Sequence, residues 1–209
     1  PNTTYDFILV SISSGKIQDV INSLKDSNIN GTILLFSGIW ETREYINKIL
    51  NGFQYIIGYP VAGGNIFGSQ LDCVVFDHIM LEDEDKTSIE NYSNLVILLT
   101  DSKLKAETPH DMLEWIWLHM AVNAAVISTA GKYGNIYNPS KSAENLMNSS
   151  SYLSEAVLTI RETSKIIAAR NVKLKNYYNE LLPYKIPSRL AGVLMKKMFQ
   201  KNELTRKIM

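Results

Sequence analysis

The sequence predicts an α/β unit followed by an all-helical part, and three observations carry that prediction. Compact apolar runs rich in β-formers occur at 7–12, 32–36 and 53–57, set off by Gly, Asn or Ser. Segments with apolar residues at helical spacing separate them, and beyond residue 107 only helical periodicity is found. Because the strand runs are apolar throughout rather than on alternate residues, they predict a parallel sheet covered on both faces.

In chain order, the strand at 7–12 leads through Ser and Gly into Ile17, Val20, Ile21 and Leu24, one face of a first helix. Asn30-Gly31 marks a turn before the strand at 32–36, and Ser37-Gly38 ends that strand ahead of an amphipathic helix from Glu41 to Leu50. After the strand at 53–57, Gly58-Tyr59-Pro60 and Ala62-Gly63-Gly64 read as a turn or a point of close approach. Leu71 to Phe76 is expected as a strand paired antiparallel with a neighbour at His78 to Leu81, and Glu82 to Lys86 as a solvated charged turn. A helix from Ile89 to Leu99 and a short strand or connector from Leu104 to Ala106 complete this half.

The longest helix signal runs from Thr108 to Thr129, with Thr108 as N-cap, Pro109 in the first turn and Asp111 completing a capping box. Almost every side of it is apolar, so it is expected to be surrounded by protein. His119 and Asn123 stand four residues apart on it, one turn from each other on one face. A Gly-, Asn-, Ser- and Tyr-rich stretch at 131–151 follows, then a helix from Leu153 to Ala169, a short one from Tyr177 to Tyr184 and a last one from Leu190 to Phe199. These elements divide the chain into domains at 1–107 and 108–209.

Composition narrows the function. Lys plus Arg and Asp plus Glu number 21 each, so no net field recruits nucleic acid or an anionic membrane surface. The long helix carries Glu114, His119 and Asn123 and is well capped, which argues against a membrane span. One cysteine, Cys73, leaves no intrachain disulfide framework and no multi-cysteine metal site, and a reducing cytoplasm fits. The chain opens on Pro1 without a charged-then-apolar leader and stops at Met209 inside a helical pattern, so it reads as cut from a longer one.

Candidate chemistry is sparse. Ser37-Gly38 and the Ser11 to Gly15 loop follow buried strands, where open α/β sheets present loops to ligands, although spacing alone favours a simple turn at Ser37-Gly38. No GxGxxG occurs, since the glycines between Gly58 and Gly64 have the wrong spacing. A lone His119 is more often a satisfied core histidine than an acid, and Asn123 more often a tie to a neighbouring helix. His78 and His110 have no spacing to His119 that makes a zinc site, and Lys196, Lys197 and Lys201 read as a solvated face.

Four stretches occur in an order that resembles one known family. Phe7-Ile-Leu-Val-Ser-Ile with its helix, Ile33-Leu-Leu-Phe-Ser-Gly, Gly58-Tyr-Pro with Gly63-Gly64, and Trp117-Leu-His-Met-Ala-Val-Asn are similar to successive segments of the ketopantoate reductases, the NADPH-dependent 2-dehydropantoate 2-reductases. The last matches that family's Trp-x-Lys-x-x-x-Asn pattern at the head of its helical domain, with His119 at the lysine. The resemblance implies a partial Rossmann-like doubly wound sheet, residues 1–107 being the C-terminal half of an NADP-binding domain. Residues 108–209 would then be a helical substrate and dimerisation domain. The family's glycine-rich dinucleotide half has no counterpart before Pro1, so the sheet is expected to expose an apolar edge for a missing segment or another chain.

On this resemblance the protein reduces a small 2-oxo acid, ketopantoate or a relative, with NADP as cofactor, in pantothenate biosynthesis, as a possible homodimer. His119 would be the acid and Asn123 would orient the substrate. Ser37 stands where the family has its turn asparagine, contacting substrate and cofactor; Gly38 lies beside it, and Ser13 occupies the place of a loop lysine. The departures are His119 for lysine, Ile127 for a second asparagine, and Glu203 as only an approximate match to a glutamate. Two other readings stay open: a non-catalytic NADP-binding or regulatory homologue, and a dehydrogenase of another substrate with the same fold.

Overall fold

The computed structural model describes residues 3–202 and Arg206. Glu203 lies outside the described residues. The chain forms two compact units, residues 1–61 with 76–117, and residues 62–75 with 118–209.

The sheet consists of strands β1 (Thr3–Val10), β2 (Ile29–Phe36), β3 (Tyr55–Phe67), β4 (Gln70–Leu81) and β5 (Lys105–Glu107), hydrogen-bonded in that order, and all of it belongs to the first unit except residues 62–75 of the β3–β4 hairpin. The pairs β1–β2, β2–β3 and β4–β5 are parallel. Helices α1 (Ile17–Asp26) and α2 (Arg43–Ile49) connect the first three strands, and α3 (Tyr92–Asp101) connects β4 to β5. The alternation of side chains along β2 separates the two faces. Leu34 and Phe36 pack with Ile56, Ile79, Leu95 and Leu99, whereas Leu35 lies with Ile17 of α1 and Ile46 and Ile49 of α2. The central strand β2 is therefore covered on both faces, as its unbroken apolar run requires, whereas most of β1 is exposed. Phe36 is paired with Gly58, and a Cβ at that glycine would collide with the Phe36 ring, so the strand junction depends on glycine there.

Several expectations are corrected. Of the turn or close approach expected at 58–64, the close approach is found, since a Cβ at Gly64 would collide with the Asp72 and Cys73 backbone, but the turn is not: β3 continues to Phe67 and reverses at Gly68-Ser69, with Gly68 at φ +59°, to form a long hairpin with β4. The sheet is accordingly mixed, and the antiparallel partner of 71–76 is β3 rather than 78–81, which is the same strand continued. The physical reason is that β2 pairs only as far as Gly58. Beyond it β3 is not paired with β2, and a strand with a free side is where a proline is tolerated.

Glu82, expected in solvent, is 1% exposed. Its carboxylate accepts the Ile57 N–H at 3.2 Å and both guanidinium arms of Arg43, while its own N–H donates to the Ile57 carbonyl. The Arg43 guanidinium also lies over the Tyr55 ring at 5.9 Å. Burial works against the Arg43 charge, and its hydrogen bond and attraction to Glu82 more than offset this, holding the guanidinium above its ordinary pKa.

Helix α4 (Met112–Tyr133) begins later than expected. Asp111, not Thr108, is its cap: the Asp111 carboxylate accepts the Glu114 N–H at 2.9 Å and its carbonyl accepts the Trp115 N–H. Nor is α4 enclosed on every side, since Asn123, Ala124, Ile127, Ser128 and Gly131 form an exposed strip, Ile127 at 70%.

The second unit continues through α5 (Pro139–Asn148), α6 (Ser150–Ala169), α7 (Tyr178–Lys185) and α8 (Ser188–Lys201). Leu146, Met147, Leu153, Ala156 and Phe199 form a core of this unit. Gly192 of α8 lies directly against Ser150 and Ser154 of α6, a crossing that has no room for a side chain. Arg161 of α6 donates to the Tyr184 and Ile186 carbonyls at 2.6 and 2.5 Å, capping the end of α7 with a cation. No helix of the described residues is long and apolar enough to cross a membrane.

Candidate active site: strand-end loops and the α4 face

The structure places the predicted site residues in two groups, one in each unit. In the first unit, β1 and β2 run parallel, so the loops that follow them emerge at the same edge of the sheet. The Ser37 hydroxyl donates to the Ile12 carbonyl at 2.5 Å and joins those loops. Ser13, Ser37 and Gly38 are thereby brought to one strand-end edge. They are not equally available, however. Ser13 is exposed and extended (φ −64°, ψ 143°) before a 3-10 turn at Ser14–Lys16, and its side chain caps nothing. Ser37 is 4% exposed with its proton committed to Ile12, and Gly38 is half-buried. Ser37 was expected to face a ligand; its geometry makes it a tie between loops.

In the second unit, His119 and Asn123 stand one turn apart on α4, in environments that differ. His119 is half-buried, and burial lowers its pKa from 6.5, so the ring is mostly uncharged at neutral pH. Asn123 is exposed, and its amide hydrogen-bonds to none of the described residues. Trp117, two residues before His119, belongs to the first unit and meets Trp40 with ring centroids 6.4 Å apart.

Beside Asn123 a groove of about 430 Å³ opens between α4 and the start of α5. Val126, Ile127, Ala130, Ile136 and Ala143 make its walls apolar. Of its polar members, Ser142 is occupied: its hydroxyl oxygen accepts the Asn135 N–H at 2.7 Å and lies 3.0 and 3.1 Å from the Asn135 and Asn138 carbonyls. Asn135 uses its side-chain oxygen on the Tyr137 N–H at 2.9 Å. None of the lining residues is charged. Chemically the groove offers an apolar wall bordered by two side-chain amide N–H2 groups, those of Asn123 and Asn135, for which the described residues supply no acceptor.

The groove was not anticipated from sequence. Its far wall comes from α5, whose start was legible as Asn138-Pro139: the Asn138 side chain accepts the Lys141 N–H, and Pro139 occupies the first turn. Among the described residues no group of three or more His, Cys, Asp or Glu is placed to hold a metal ion.

No protein-family model and no curated protein matches the chain. Solved structures do. A dimeric ketopantoate reductase from Staphylococcus aureus superposes with a TM-score of 0.60 at 12% identity, over 97% of this chain and 61% of the reductase. A D-mandelate dehydrogenase solved with NADH superposes with a TM-score of 0.61 at 15% identity, over 99% of this chain and 63% of that enzyme. A probable 2-dehydropantoate 2-reductase from Bacillus subtilis gives a TM-score of 0.54 at 14% identity, over 100% of this chain and 69% of its own. This chain thus spans less than two thirds of the first two, and what it shares with all three is the fold: a Rossmann-like dehydrogenase sheet followed by helices.

Proposed function

We propose that this chain is the larger part of an NADP-dependent reductase of a small 2-oxo acid, of the ketopantoate reductase kind. The observation that carries the reading is the Trp117-x-His119-x-x-x-Asn123 helix in a chain with this fold, with an open groove beside the asparagine. When bound, the reduced nicotinamide supplies the hydride. In this mechanism Asn123 donates its amide N–H to the substrate oxygen, and the charged form of His119 gives that oxygen its proton as the carbonyl becomes an alcohol. Since burial favours uncharged His119, turnover rises as pH falls toward the histidine pKa, unlike that of a lysine acid.

The chain's own residues fit only part of the cofactor. Ser13 and Gly38 stand at the strand-end edge, where ligands bind in open α/β sheets, with Ser37 holding their two loops together. No glycine-rich loop for a pyrophosphate occurs in the sequence. Strands bearing one would add to the outer side of β1, one of the two edge strands of the sheet, where Tyr5 and Leu9 are exposed at 52% and 62%. We assign the protein to the cytoplasm, consistent with its lone exposed cysteine. A homodimer would be served by the exposed α8 stripe of Leu190, Leu194 and Met198.

Two other readings have their own support. A dinucleotide-binding homologue without turnover is favoured by the joint departures from the family pattern, His119 for lysine and Ile127 for the second asparagine, and a dehydrogenase of another 2-hydroxy acid by the likeness to D-mandelate dehydrogenase. The test is NADPH oxidation by the intact protein against a panel of 2-oxo acids. Turnover that falls about 100-fold or more in His119→Ala supports the proposal. Dinucleotide binding with no turnover of any panel member establishes the non-catalytic reading instead.

A further inference from the structure

We infer that Asn51 is a site of spontaneous covalent modification, at which the backbone nitrogen of Gly52 displaces the side-chain amide and leaves aspartate or isoaspartate in the turn that closes α2. The chemistry requires no substrate or cofactor and stands apart from the reductase reading. Two Asn-Gly pairs occur in the sequence, Asn30-Gly31 and Asn51-Gly52. Glycine after asparagine hinders this attack least, because no Cβ stands beside the nitrogen and the backbone is freest to rotate. The fold makes the two pairs unequal. Asn30 is paired with Thr4 and Thr32 with Phe7 in the parallel ladder of β1 and β2, and a Cβ at Gly31 would collide with the Tyr5 carbonyl, so this main chain cannot rotate without parting the strands. Asn51 and Gly52 are instead exposed, in a turn closed by the Phe53 N–H donating to the Leu50 carbonyl at 2.9 Å. They are its two central residues, with Gly52 at φ +96°. A Cβ at Gly52 would meet nothing within 4 Å, and neither the Asn51 amide nor the Gly52 N–H is bonded to any described residue.

The reaction balances with water as its only co-reactant. The Gly52 nitrogen, having lost its proton to hydroxide, bonds to the Asn51 side-chain carbonyl carbon, the bond from that carbon to Nδ2 breaks, and ammonia leaves with a proton from water. Water then opens the cyclic imide. Opening at the side-chain carbonyl gives aspartate, and opening at the main-chain carbonyl gives isoaspartate, in which the chain runs through Cβ and gains one atom. Either product places a carboxylate just past the C-terminal end of α2, already the negative pole of the helix. Isoaspartate also lengthens the link between Leu50, which is 1% exposed, and half-buried Phe53. Modification therefore loosens the end of α2, the helix that carries Arg43 to Glu82.

Ageing the intact protein in mildly alkaline buffer made with heavy-oxygen water tests this. Trypsin separates the two pairs, leaving Asn30 in the peptide 26–43 and Asn51 in the peptide 49–86, and fragmentation in the mass spectrometer locates the solvent oxygen taken up. In the folded protein Asn51 is expected to react at least about 10-fold faster than Asn30, which reacts only when its strand has opened locally. In urea, where no ladder holds Asn30, the two rates should converge. An isoaspartyl methyltransferase should label the aged protein at residue 51, and Asn51→Gln, an exposed change that leaves folding intact, should remove that label. The aged protein should also unfold at a lower urea midpoint than aged Asn51→Gln. Solvent oxygen entering at Asn51 no faster than at Asn30 in the folded protein overturns the inference, and equal urea midpoints overturn the loosening of α2.

Discussion

Replacing Arg43 by methionine tests the Arg43–Glu82 ion pair, whose carboxylate is buried and which was invisible in the sequence. Arg43 covers both oxygens of a carboxylate that is 1% exposed and for which the described residues supply one other donor, the Ile57 N–H at 3.2 Å. Removing the cation leaves that charge unpaired beneath α2, and breaking one side of such a pair costs about 3–5 kcal/mol. With a urea m-value of ~2 kcal/mol/M, the unfolding midpoint should fall by roughly 1.5–2.5 M. All three tryptophans, Trp40, Trp115 and Trp117, lie in the same unit as the pair, so indole fluorescence reports the loss directly. The paired experiment adds Glu82→Gln to Arg43→Met. An amide needs no counter-charge, so the double variant should recover part of what the single one loses. A single variant costing less than about 1 kcal/mol, or a double variant no better than the single, would refute the claim that an unpaired buried charge is the cause.

Three further outcomes follow from local geometry. Asp111→Ala removes the side-chain acceptor of the Glu114 N–H and should cost about 1 kcal/mol in thermal or urea unfolding, whereas Thr108→Ala, outside the helix, should cost almost nothing. Lys103 follows α3 with φ +60°, and the Leu104 N–H reaches back to the Leu99 carbonyl, so Lys103→Gly should raise stability by about 0.5–1 kcal/mol. Burial disfavours the charged form of His119, so between its lowered folded pKa and 6.5 the unfolded chain binds more protons. Stability should therefore fall as pH drops below 6.5 and be unaffected by this group above it. His119→Gln should flatten that acid-side loss, and an NMR titration of the imidazole should give a midpoint under 6.5.

The parts of the fold that could be read from sequence are those decided by local pattern. The apolar run of β2, the helical spacing of α1 and the stripe through Leu153, Val157, Ile160 and Ile167 on α6 each name their element, because the buried face repeats at the period of the backbone. The misreadings share a different cause. Pro60 and Gly63-Gly64 are turn residues by composition, and become strand because a hairpin partner 70–81 supplies the ladder that β2 no longer does. Glu82 is a surface residue by type, and becomes buried because Arg43, thirty-nine positions earlier, arrives beside it. Such long-range partners leave no periodic trace.

The same reasoning explains why α4 looked fully enclosed and is not. A strip of Ala124, Ile127 and Gly131 beside Asn123 is apolar or small enough to pass for a packing face, and the sequence contains no sign that the next helix leaves it partly uncovered. What uncovers it is the turn at Gly134 to Asn138, where Ser142 is drawn onto the Asn135 and Asn138 carbonyls and α5 begins there instead of closing over Ile127. A helix that is apolar on the side it exposes must meet something apolar or carry a cost in water. Whatever covers this strip, a ligand or a partner, would take the apolar surface of Ile127 out of water and would meet the Asn123 amide at its border.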